Sequence, residues 1–302
     1  MKPSFLFAAS CCAVSGLFLA YFDVRPSYGQ DATAPALGKS LTFHASFDKG
    51  PDANFAKGDG TLWNAPAIEK RSEASKGLPS GGEVKLDSSG RFGGALRFGP
   101  SAGPIVFFKA PHNITMPKAD WSGTISLWLS TDPANELRDG FCDPFQFTSK
   151  QWDDAAIFIE FEKRPAGIPF RLGVYADKTV WNPKGRKFED IPPAERPLTT
   201  VNNPPFAGGK WTHIAVVFDK FNTGKPNGLA TVFLDGKKAG EISAREQTFT
   251  WDPQHSALML GLSYRGLMDD LAVFDRALSP EEVQSLFALK GGVADLAAKN
   301  SK

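Results

Sequence analysis

The chain has 302 residues, with 34 Lys and Arg against 33 Asp and Glu and a formal net charge of +1. No run of like charge stands out, which excludes nucleic acid as a partner, since phosphate binding needs a clustered cationic surplus. Aromatics make up 12%, with 25 Phe and 7 Trp beside 29 Gly and 23 Pro. Many aromatics among many turn formers point to an all-β domain, and the length fits one large sandwich or two small domains.

Residues 1–29 read as a cleaved secretory signal peptide. Lys2 supplies the positive end, Phe5 to Phe22 is almost wholly apolar, and Ser27-Tyr28-Gly29 offers a cleavage site before Gln30. The alternatives are an uncleaved anchor and, ranked last, a lipoprotein modified at Cys11 or Cys12. Each places the remainder outside the cytoplasm: secreted, periplasmic or at the cell surface, with no membrane insertion if the signal is removed. Processing leaves Cys142 as the sole cysteine, so an internal disulfide and thiolate metal sites are excluded, and Cys142 reads as a small buried apolar side chain. A linker (30–40), one domain (41–290) and a tail (291–302) follow.

The predicted elements run in order from LTFHASFD (41–48), the first strand, through a Gly-, Asp- and Ser-rich stretch (49–90) read mainly as loop. Strands then follow at ALRF (95–98), PIVFFKA (104–110) and GTISLWLST (123–131). The last alternates, with Ile125, Leu127 and Leu129 on one face and Thr124, Ser126 and Trp128 on the other. AAIFIEFEK (155–163) and PFRLGVYA (169–176) come next, before a proline-rich segment (177–209) of a length that is usually functional or mobile. The rest reads as strands at 210–219, 229–242, 257–262 and 270–274, the second folded into a hairpin by the turn dipeptide Asp235-Gly236. One helix stands out. Ser279 is its N-cap, Pro280 its N1 residue and Glu282 its N3, a capping box. Leu278 and Val283 staple it, and Val283, Leu286 and Phe287 share one face.

Four segments resemble one family. They are Phe92-Gly93-Gly94-Ala95-Leu96-Arg97-Phe98; Thr124-Ile125-Ser126-Leu127-Trp128-Leu129; Lys210 to Asp219 (KWTHIAVVFD) with Val232 to Lys237 (VFLDGK); and Met268-Asp269-Asp270-Leu271 with Arg276 to Val283 (RALSPEEV). In this order and spacing they resemble the laminin-G-like branch of the concanavalin A-like lectin/glucanase superfamily. The fold this implies is an all-β jelly-roll sandwich of two antiparallel sheets, closed by a short C-terminal capped helix. Asp275 before Arg-Ala-Leu-Ser departs from the family pattern, and segment 177–209 is longer and richer in proline than such modules carry.

The resemblance implies a structural calcium held by Asp48 and Asp269, and calcium takes six to eight hard oxygens. Strand alternation would send Asp269 and Asp270 to opposite faces, one to the ion and one to solvent or a loop. The alternative is that these aspartates accept backbone N–H bonds at a strand start. Asp52 and Asp59 could be further ligands, but loop aspartates more often cap turns.

The same superfamily holds glycoside hydrolases and polysaccharide lyases, so fold alone does not decide activity. Its Glu-x-Asp-x-x-Glu pattern is absent here. Glu160 and Glu162 share a strand face roughly 6–7 Å apart, a spacing suited to glycosidase chemistry, yet it reads first as a half-exposed strand. His44, His112, His213 and His255 lack metal-ligand spacing, and His213 reads as a packed core residue. The Arg, His, Gln and Tyr cluster of a lyase is not visible. The reading is therefore a non-catalytic, lectin-like module for a polysaccharide or glycoconjugate. Trp152 and Trp181, in polar segments, are the candidate sugar platforms, with Trp63 weaker; Trp121, Trp128 and Trp211 read as core. A protein-binding or structural surface module is the main rival, and an enzyme of this fold the second.

Overall fold

The computed structural model describes residues 36–100 and 103–299; the signal peptide expected at 1–29 lies outside them. Seventeen strands carry the fold. They are β1 (Leu41–Ala45), β2 (Phe55–Ala56), β3 (Trp63–Ala65), β4 (Ser75–Lys76), β5 (Val84–Asp87), β6 (Ala95–Phe98), β7 (Ile105–Lys109), β8 (Trp121–Ser130) and β9 (Gly140–Thr148), followed by β10 (Ala156–Lys163), β11 (Phe170–Tyr175), β12 (Leu198–Val201), β13 (Trp211–Phe221), β14 (Gly228–Leu234), β15 (Lys237–Arg245), β16 (Ala257–Leu262) and β17 (Gly266–Phe274). Three helices interrupt or follow them: α1 (Lys178–Trp181), α2 (Pro280–Phe287) and α3 (Ala294–Lys299).

The strands form two antiparallel sheets. The first runs β15-β14-β13-β8-β17-β1-β2, with β6 and β5 attached to β17; the second runs β12-β11-β10-β9-β16-β7-β3-β4. This is the expected jelly-roll sandwich. Period-two alternation builds its core. Ile125, Leu127 and Leu129 of β8 face Phe145 and Phe147 of β9, Ile157, Ile159 and Phe161 of β10, and Phe170 and Leu172 of β11 in one buried cluster. Trp121 is a hub of that core, with the rings of Phe218, Phe221, Phe249 and Trp251 all within 5.7 Å of it. Each fully buried residue of this size contributes about 1.5–3 kcal/mol.

The outer face of the first sheet is covered by the chain ends. Leu278, Val283 and Leu286 of the α2 region pack there with Leu37, Phe274, Val293 and Leu296. Residues 36–40, at the end of the expected linker, are helical, and Leu37 is buried among them. Val293 and Leu296 likewise give the expected tail a packing role. The α2 cap is complete: Ser279 Oγ accepts from Glu282 N and the Glu282 carboxylate accepts from Ser279 N. Arg276 adds a two-bond clamp on Glu282.

The β14–β15 turn is the expected two-residue hairpin, with positive φ at Asp235 (49°) and Gly236 (74°). Residues 49–90 are mainly loop as expected, interrupted by the short strands β2 to β5 and a 3₁₀ turn at Ile68–Glu73. Trp121 and Trp128 are buried as expected, but Trp211 is half-buried at the start of β13. Cys142 is free and buried. His213 is buried and shares a 2.9 Å hydrogen bond with Ser126 Oγ; burial lowers its imidazole to about 4, so it is a neutral packed residue.

Candidate functional site

Two regions gather the side chains singled out from the sequence. The first is on the outer side of the first sheet, where β17 begins. Met268 and Leu271 both point into the core, three residues apart where strict alternation needs an even spacing. The ladder to β8 accounts for this: Asp269 pairs with Trp128 and Ala272 with Ser126, so β17 carries one extra residue. Asp270 sits in this bulge at φ 54°. The two aspartates therefore fall on the same outer side instead of opposite faces, and both are buried. Neither reaches solvent. Asp270 Oδ1 lies 2.7 Å from His44 Nε2, and its carboxylate also accepts from Val293 N at 3.0 Å.

Asp269 turns to the loop 90–94. Its Oδ2 accepts from Phe92 N at 3.0 Å, while Oδ1 is buried without a partner among the described residues. Burial pushes this carboxyl up to about 7. Asp48 reaches the same loop, with Oδ1 accepting from Gly94 N at 2.7 Å. A Cβ on Gly93 would come within 2.3 Å of that oxygen, so the close approach requires glycine. The structure thus brings Asp48 and Asp269 to one five-residue loop, each with an oxygen to spare. No group of three or more His, Cys, Asp or Glu suited to a metal exists among the described residues. A hard cation here would draw two carboxylate oxygens, with the rest from backbone carbonyls and water, a donor set calcium accepts. The orphaned Asp269 Oδ1 fits that role. Asp59 caps a turn, accepting from Thr61 N at 2.9 Å, whereas Asp52 accepts from Leu62 N, ten residues on, at 2.8 Å.

The second region is on the outer face of the second sheet. Asp177, at the mouth of segment 177–209, accepts from Lys150 Nζ at 2.9 Å and from Thr250 N and Oγ1 at 3.1 and 2.7 Å. Asp154 Oδ1 accepts from Lys178 N, and Trp181 Nε1 donates to Asp153 O at 2.8 Å. These bonds tie the turn after β9 to α1. Trp152 and Trp181 consequently meet the same ring: Tyr175 lies 5.7 Å from Trp152 and 5.0 Å from Trp181, both near-perpendicular. Phe188 adds a third contact to Trp152, at 5.3 Å. Trp152 is held yet 43% exposed, whereas Trp181 is half-buried with its indole N–H already bound. Trp152 therefore presents its ring to solvent, and Trp181 packs on the other side of the shared contact with Tyr175. The proline-rich segment is pinned here, with Ile191 buried.

Beside this cluster the sheet assembles charges that separate strands kept hidden in the sequence. Arg171 of β11 is directly opposite Glu160 of β10. Its guanidinium bridges Glu160 and Glu162, each at 2.5 Å. Glu160 is only 6% exposed, not the half-exposed strand residue expected. Burial pushes its carboxyl up to about 7, with Arg171 opposing and Glu162 adding to the rise. Asp143 of β9 is raised well above the ordinary carboxyl range, by burial first and then by Glu160. Gln146 and Tyr175 share this face, and the Tyr175 hydroxyl is buried without a partner among the described residues. His44 and His213 sit in the other sheet, on β1 and β13, and no histidine occurs in β9, β10 or β11.

Several solved structures share the architecture. Domain 4 of AbnA, a GH43 extracellular arabinanase from Geobacillus stearothermophilus solved in complex with arabinotriose, matches with TM-score 0.50 and 18% identity over 83% of this chain and 98% of that one. The botulinum neurotoxin serotype D ligand binding domain in complex with N-acetylneuraminic acid matches with TM-score 0.51 and 9% identity, over 84% of this chain and 52% of that one. The binding domain of Paraclostridial Mosquitocidal Protein 1 matches at 0.50 and 14%, over 83% and 52%. The chain spans about half the length of these toxin binding domains, and at such identities the likeness establishes the fold. Among curated proteins none matches the chain. A family model described as the concanavalin A-like lectin/glucanases superfamily matches residues 108–284, more than half of the chain and inclusive of β8 to β17, and the chain belongs to that superfamily.

Proposed function

We propose that the protein is an exported, non-catalytic carbohydrate-binding module. It takes a saccharide against Trp152 at the rim of the second sheet. The observation that carries this reading is the exposed indole of Trp152, packed edge-on against Tyr175 and Phe188. Aromatic faces with fixed orientation lose little entropy when a ligand binds them, and polar groups at the same rim, Lys178 and Asp153, can orient hydroxyls. Two structures of the same fold carry saccharide ligands, arabinotriose and N-acetylneuraminic acid, which supports a glycan ligand class. Export rests on the apolar residues 5–22.

Calcium belongs to the same proposal, as a structural ion between Asp48, Asp269 and the 90–94 loop. Bound there, it would supply positive charge to a buried carboxylate and tie β17 to the loop before β6.

The arrangement around Glu160 favours binding over hydrolysis. Arg171 holds Glu160 and Glu162 together in a shared clamp, whereas a glycosidase places its two carboxyls on either side of the sugar bond.

The test is retention of the processed chain and of Trp152→Ala on immobilised neutral polysaccharides. The reading expects at least a tenfold loss of affinity on the retained glycan, with unchanged thermal unfolding. Full retention by Trp152→Ala would overturn it.

A further inference from the structure

A cavity of about 270 Å³ opens on the outer face of the second sheet, away from Trp152. Phe107 of β7 and Ala257 of β16 line it, with Trp63 of β3 as a wall and Arg71, Lys109 and His255 among its polar groups. The Trp63 ring is fixed, because Nε1 donates to Asp59 Oδ2 at 2.9 Å. The Lys109 ammonium sits 3.8 Å from the centre of that ring and Lys76 lies 5.7 Å from it. Lys109 meets Asp59 only at 3.8 Å.

Arg71 has no carboxylate partner within ion-pair distance among the described residues. Its donors reach only Met259 Sδ at 3.4 Å and His255 O at 3.3 Å, both long and neither charged. A guanidinium fork is suited to two-bond contact with an oxyanion, and this one is unspent. The nearby Asp252 is engaged by His255 Nδ1 at 2.6 Å. Around the fixed indole, Lys76, Lys109 and Arg71 stand with Asp59, whose oxygens accept from Thr61 N and Trp63 Nε1, and Glu69, whose charge acts on Arg71.

We propose that this cavity is a saccharide subsite selective for a sugar bearing an oxyanion substituent, sulfate or carboxylate. Arg71 and Lys109 hold the anion, and Trp63, which the Lys109 ammonium overlies, is the wall that fixes Lys109. The proposal rests on the reading of the chain as a glycan-binding protein and names an acidic polysaccharide as its ligand. From β11, which carries Tyr175 under Trp152, to β7 is four strand steps, about 19 Å at roughly 4.8 Å per step. One chain crossing the sheet can engage both sites, which multiplies affinity without new contacts.

The experiment measures binding of the processed chain to dextran sulfate, polygalacturonate and dextran of matched length at moderate salt. Arg71→Gln/Lys109→Gln is compared with Lys225→Gln/Lys237→Gln, which removes the same charge from exposed positions elsewhere. At least one acidic polymer should bind tenfold or more tightly than dextran, dextran sulfate identifying sulfate and polygalacturonate identifying carboxylate. The Arg71/Lys109 variant should lose that preference, while the control changes less than twofold. Equal weakening by both variants would reduce the effect to general charge and overturn the site; so would the absence of any acidic preference. Trp152→Ala separates the two readings. If it leaves all binding intact while Arg71→Gln/Lys109→Gln removes the acidic preference, the Trp152 site fails and this subsite stands.

Discussion

Replacing Glu160 with Gln is a direct probe of the charge cluster on the second sheet. In the folded chain burial pushes the Glu160 carboxyl up to about 7, against an ordinary 4.5. Between these values the folded chain holds a proton that the unfolded chain releases, so stability falls as pH rises through that window. What neutral Glu160 contributes is complete below about pH 4.5 and is lost by the time pH passes 7. The gap corresponds to roughly 3 kcal/mol, and the side chain is only 7% exposed, so solvent screens little of it. Glu160→Gln keeps the shape, removes this titration and lessens the repulsion that raises Asp143. Arg171 retains Glu162. Urea unfolding at about pH 4 and about pH 8 reads the difference directly. Wild type should lose roughly 3 kcal/mol more than Glu160→Gln across that interval. Carboxyls remote from Glu160, Asp269 included, act alike in both proteins and cancel, while the smaller rise of Asp143 in the variant adds to the difference in the same direction. Parallel pH dependence in the two proteins would refute the account of a desolvated carboxyl.

Other outcomes follow from the same structure. Ser279→Ala removes the Oγ that accepts from Glu282 N, while the Ser279 backbone N–H keeps its bond to the Glu282 carboxylate, and should cost about 1 kcal/mol by urea unfolding. Calcium should raise the thermal midpoint of wild type and leave Asp48→Asn/Asp269→Asn unchanged; no shift in wild type would remove the ion from the account. Gly236→Ala forces a side chain into φ 74° and within 2.7 Å of Gln284 Oε1, and should destabilise by roughly 1–2 kcal/mol, read in the same assay.

What was legible in the sequence was local. The α2 capping box spans four residues, and the Asp235-Gly236 turn spans two, so neighbouring residue types determine both. The alternation of β8 was legible for the same reason. The bulge at Asp269–Asp270 was not, because period-two reasoning assumes that no residue is inserted, and an insertion shows only in the pairing with β8. Glu160 with Arg171 depends on the register of β10 against β11, eleven residues apart in the chain. Trp152 and Trp181 were singled out separately for their polar surroundings. Their shared contact with Tyr175 needed the Asp153 and Asp177 hydrogen bonds, which tie segments more than twenty residues apart. The Trp63 cavity needed β3 beside β7 and a 3₁₀ turn in a segment that read as loop.

The most direct test of the central claim incubates the processed chain with a panel of soluble and insoluble polysaccharides, scoring retention and new reducing ends together. The account predicts retention on at least one glycan, lost in Trp152→Ala, with no new reducing ends. New reducing ends that vanish in Glu160→Gln would contradict it and make the Glu160 cluster an active site.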